Sequence, residues 1–121
     1  MASPIQAHSA LSRGTFAIAV LVSLAVLFAP PADVPPSPYG IDKLVHGLLF
    51  AVLAFTGRWA GVGRGVLAGL LVLYAGVSEI LQATDLVNRD ASVADLVADV
   101  IGVLVGLLVW ERLVRRRRAS V

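Results

Sequence analysis

Glu79, Gln82, Arg89, Asp95 and Asp99 crowd the stretch from Ser78 to Gly106, and Asp42, Lys43 and His46 stand upstream of it. An imidazole with several carboxylates can ligate a divalent metal or act as a base with its orienting partner. Lysine and arginine can hold a phosphate or carboxylate by charge-assisted hydrogen bonds, and the planar fork of Arg89 suits a bidentate grip. The setting makes these residues unusual. The surrounding segments are apolar enough for a lipid bilayer, where an ionisable group is costly and by default marks a functional site facing protein or water.

The elements that must position them are membrane helices. The 121 residues are 58% hydrophobic and 15% charged, with a mean hydropathy of +0.86, outside the balance of a soluble domain. The length allows a single domain over residues 1–121 and no soluble catalytic module beside it. Cysteine is absent, which excludes disulfides, thiolate metal sites and cysteine nucleophiles. The run Arg115 to Arg118 follows an apolar helix directly, so it reads as a cytoplasmic topology anchor drawn to anionic lipid and not as a nucleic-acid patch. Nucleic acid is therefore not an expected partner.

The first apolar run, 11–29, is long enough to cross about 30 Å of hydrocarbon, with Arg13 able to snorkel at its start. Leu27 and Ala29 make a poor small-x-small cleavage site with Pro30 behind it, which favours an anchor over a cleaved signal peptide. Pro30 to Gly40 holds five of the six prolines and reads as an extended linker. A second helix is expected over 41–60, with Asp42 able to cap it and Trp59 suited to the far interface. Glycines from Gly61 to Gly65 make a tight connection to a third helix over 66–82, so the two should pair antiparallel. Glu79 and Gln82, three residues apart, share a face at its end. After a polar loop, Ser92 and Asp95 have capping-box spacing ahead of a fourth helix over 93–113. Ser92, Asp95, Asp99, Gly102 and Gly106 advance along it by three or four residues at a time and form one small or polar stripe, which should point into the bundle.

These segments amount to an all-α, polytopic membrane protein with four transmembrane helices and both termini inside. The positive-inside rule puts the basic tail in the cytoplasm with Arg13, Arg58 and Arg64, leaving Lys43 and Arg89 as the outside cations. Every acid except Glu111 then falls at or near the outer face of the cytoplasmic membrane. The outer ends of helices two, three and four converge there, with His46, Glu79 and Asp99 deepest.

This pattern resembles the VanZ-like family of small bacterial membrane proteins. The resemblance rests on Asp42-Lys43-x-x-His46 opening one helix, Glu79-x-x-Gln82 closing the next, Arg89 in the loop, then Ser92-x-x-Asp95-x-x-x-Asp99-x-x-Gly102-x-x-x-Gly106. It covers roughly 41–114. The family usually has Asn at the position of Asp99, so this chain adds an acid to the pocket. The family is named for a member linked to resistance to teicoplanin, a lipoglycopeptide acting on the outer side of the membrane. The resemblance accordingly implies a role in envelope homeostasis or glycopeptide resistance at that face.

Three readings of the pocket stay open. In the first, Asp42, Lys43, His46, Glu79, Gln82, Arg89, Asp95 and Asp99 bind an anionic lipid or a lipid-linked envelope precursor, with the carboxylates orienting the cations. The second is a membrane-embedded hydrolase or transferase with His46, Glu79 and Asp95 as catalytic candidates. A divalent metal there would fall to His46, Glu79, Asp95 and Asp99, although the spacing matches no established metal signature and neither a metal nor another cofactor is expected. In the third, the charges only pair, Asp95 with Arg89 and Glu79 with His46 or Lys43, and set helix registry. The apolar faces of helix one could meet lipid or a second copy of the chain.

Overall fold

The computed structural model describes residues 9–28, 41–82 and 93–119. They form four α-helices: α1 (Ala10–Leu27), α2 (Ile41–Trp59), α3 (Arg64–Gln82) and α4 (Val93–Ala119). Ser9 caps α1, its Oγ accepting from the Ser12 N–H at 3.0 Å, which satisfies one of the donors a helix start leaves over. The expected fourth helix of 93–113 runs on through the arginines to Ala119. Cations in a last turn oppose no dipole and favour the helix end, so nothing there breaks it.

The α2–α3 connection follows from its glycines. Gly61 has φ of 98°, a left-handed conformation that costs glycine nothing. The Val62 N–H reaches back to the Gly57 carbonyl and the Gly61 N–H to the Arg58 carbonyl, both at 3.0 Å, the paired bonds of a Schellman ending. Arg58 Nη1 adds a bond to the Val62 carbonyl at 2.9 Å. The chain therefore reverses within a few residues, and α3 returns beside α2.

Contacts fix the relative directions. His46 meets Asp99 near the start of α2 and α4, and Arg58 meets Glu111 near their far ends, both pairs 53 residues apart. Hence α2 and α4 run parallel, with α3 antiparallel to both. Ser23, in the second half of α1, meets Tyr74, at the middle of α3, at 2.9 Å, which ties α1 to α3. Because the Ser23 hydroxyl donates to the Val20 carbonyl at 2.7 Å, the one proton available for the cross-helix bond is that of Tyr74.

The most extensive interface lies between α2 and α4, and small residues explain it. A Cβ on Gly102 would stand 2.9 Å from the Gly47 carbonyl carbon and 3.0 Å from Gly47 Cα, and one on Gly106 would stand 3.0 Å from the Ala51 carbonyl carbon. Backbones so close need glycine. The Asp95, Asp99, Gly102, Gly106 stripe is buried throughout. Around this seam pack Phe50, Leu53, Ala54, Leu67, Leu71, Ala75, Val103 and Leu107. Phe50 leans on Tyr74 and Phe55 meets Trp110 edge-on.

The exterior is aliphatic, and part of the interior is polar. Ile18, Leu21, Leu70, Leu73, Ile80, Leu104 and Leu108 are each more than half exposed, while Ser12, Ser23, Ser78, His46, Glu79, Asp95 and Asp99 are buried. That inversion is what a lipid surround selects. Three helices are long and apolar enough to cross a membrane, within Ala10–Leu27, Arg64–Leu81 and Val93–Arg118. At 19 residues α2 has similar length to α3, but it carries Asp42, Lys43, His46 and Arg58.

Candidate functional site

His46, Glu79, Asp95 and Asp99 come together at one end of the bundle. Helical geometry brings them there: His46 lies about one turn into α2, Glu79 about one turn before the end of α3, and Asp95 and Asp99 in the first two turns of α4. Since α2 and α4 run parallel and α3 returns between their ends, the three sets meet. All four side chains are buried, with Asp99 fully so.

The shortest contact joins His46 Nδ1 to Asp99 Oδ1 at 2.9 Å. Asp99 presents its other oxygen, Oδ2, to the interior, where it takes no hydrogen bond from a described residue. Lys43 stands at the rim, its side chain 24% exposed, with Nζ 3.5 Å from Asp95 Oδ1. The carboxylates of Asp95 and Glu79 also act on the His46 ring through space. One donor atom each from His46, Glu79 and Asp99 falls within 4.8 Å of the others. Behind this layer Ser78 is fully buried and donates to the Ala75 carbonyl at 2.9 Å.

Of the eight sequence candidates, Lys43, His46, Glu79, Asp95 and Asp99 are thus assembled. Asp42 and Gln82 are placed only by their backbone, in the first turn of α2 and the last turn of α3. Arg89 lies outside the described residues, as does Ser92. Of the expected pairs, Asp95 with Arg89 lies outside the described residues. Asp95 has Lys43 beside it, and the imidazole goes to Asp99. The His46–Asp99 and Arg58–Glu111 contacts share one offset of 53 residues between α2 and α4.

Two further polar sets were not singled out from sequence. Glu111 lies 3.4 Å from Arg58 and 3.6 Å from Arg64 at the opposite end, and the Ser23–Tyr74 bond ties α1 to α3. Comparison with family models, curated proteins and solved structures finds no match for the chain.

Proposed function

We propose that the chain is a VanZ-like, multi-pass protein of the cytoplasmic membrane, with four spans and both termini inside, whose outer-face pocket binds an anionic lipid or lipid-linked envelope precursor. The observation that carries this reading is the convergence of five ionisable side chains from three helices, at one end of a bundle whose exterior is aliphatic. Their cost in lipid calls for a task. The anion binds at the rim, where the Lys43 ammonium is partly exposed beside Asp95; Arg89, outside the described residues, is the second cation expected for it. Asp95 orients the lysine. The fourth span is α2, whose length equals that of α3 and whose Lys43, His46 and Arg58 side chains meet acids of α4.

Orientation rests on charge: the arginines at the end of α4 favour the cytoplasm, and the polar cluster lies at the other end of that helix, about 30 Å away. A role in envelope homeostasis follows from that face, and the resemblance to the VanZ-like pattern adds to it. The reading is tested in two steps. An Asn88→Cys substitution should react with an impermeant thiol reagent from outside the cell and Gly61→Cys should not; the reverse labelling rejects the topology. Protein extracted in mild detergent should carry an anionic lipid or precursor detectable by mass spectrometry, and recovery of neutral lipid alone rejects the ligand class.

The registry alternative has its own support, since both the His46–Asp99 and Lys43–Asp95 contacts bridge α2 and α4. It predicts that isosteric changes in the cluster alter stability and leave bound lipid unchanged.

A further inference from the structure

Beneath the rim lies an inner layer with a different chemistry. We propose that His46, Glu79 and Asp99 form a binding site for a first-row divalent metal ion such as Zn²⁺, independent of any lipid at the rim. One ring nitrogen and two carboxylate oxygens, one from each of three helices, lie within 4.8 Å of one another, and all three residues are buried. Donors of a tetrahedral Zn²⁺ site, each bonded at about 2.1 Å, stand about 3.4 Å apart. The three donors, within 4.8 Å of one another, therefore close by up to about 1.4 Å on loading, a distance that side-chain rotation covers.

The second observation concerns Asp99 itself. Its side chain is fully buried, one oxygen engages His46 at 2.9 Å, and the other takes no hydrogen bond from a described residue. A buried carboxylate oxygen left so is expensive. A cation in the cluster supplies what that oxygen lacks. The donor set also suits the ion in type and charge: imidazole and carboxylate are ligands of first-row divalent ions, and two carboxylates with a neutral imidazole balance a double positive charge. The contact of Asp99 Oδ1 with His46 Nδ1 holds the imidazole in place and leaves Oδ2 for the ion. Asp95, held against Lys43 at 3.5 Å, is left outside the ligand set.

The test uses the full chain in detergent, freed of any affinity tag and stripped with a chelator, and titrated with Zn²⁺ alone in the absence of added lipid. One ion should bind per chain. His46→Gln and Glu79→Gln should each weaken binding at least about tenfold, whereas Glu111→Gln, at the opposite end, should bind as the wild type does. X-ray absorption of the loaded wild type should show nitrogen and oxygen neighbours with imidazole scattering, a readout that does not depend on any variant folding. Absence of stoichiometric binding, binding that survives both substitutions, or a spectrum without imidazole overturns the site. None of these outcomes bears on lipid retention, so the metal and lipid readings fail separately.

Discussion

The two ends of the bundle each tie α2, α3 and α4 together with ionisable side chains, yet they are built differently. At one end Glu111 sits between Arg58 and Arg64, with side chains 28%, 22% and 66% exposed and separations of 3.4 and 3.6 Å. Water and headgroups reach such a network, and exposed pairs of this kind contribute little. At the other end His46 and Asp99 are 4% and 0% exposed and 2.9 Å apart, with Glu79 beside them. Three acids there face one lysine and one imidazole among the described residues. The first end resembles a fastening; the second holds more buried charge than fastening requires, and its surplus is acidic.

Perturbations sharpen that contrast. The largest effect is expected from neither end but from the seam between them: Gly102→Leu drives a side chain into the Gly47 backbone and should cost about 3 kcal/mol, read as loss of the folded fraction in detergent unfolding. Next, Asp99→Ala strands a buried imidazole and should lower stability by about 1–3 kcal/mol. Asp99→Asn keeps an oxygen that accepts from the ring and should cost less, so a ranking of Ala below Asn tests whether the hydrogen bond or the charge matters for folding. Lys43→Ala removes a partly exposed partner of Asp95 and should cost about 1 kcal/mol. Glu111→Gln should change the unfolding midpoint least, by less than about 1 kcal/mol. If Glu111→Gln instead destabilised as much as Asp99→Ala, the distinction between the two ends would collapse.

Much of this was legible from the order of residues. The aliphatic runs bounded by Pro30–Gly40, Gly61–Gly65 and the polar stretch 83–91 mark the four helices, and the small stripe Asp95, Asp99, Gly102 and Gly106 marks the buried face of α4, because periodicity is local. Partner choice was not legible. Whether His46 meets Glu79 or Asp99 depends on how far α2 and α4 slide along each other, and that is set by the Gly47–Gly102 and Ala51–Gly106 approaches, a property of the packed pair. The continuation of α4 through Arg115–Arg118 was missed for another reason: charge ends a hydrophobic run but does not end a helix. Glu111 was visible as the lone acid among the inside arginines, without any sign that it would join two of them.

The most direct measurement is retention of phosphatidylglycerol by native mass spectrometry for three proteins side by side: wild type, Lys43→Gln and Glu111→Gln. The wild type and Glu111→Gln should hold the anionic lipid equally, and Lys43→Gln should lose it at least about tenfold, the equivalent of one charge-assisted hydrogen bond. Equal retention by all three, or loss on Glu111→Gln instead, would contradict a ligand pocket at the His46–Asp99 end.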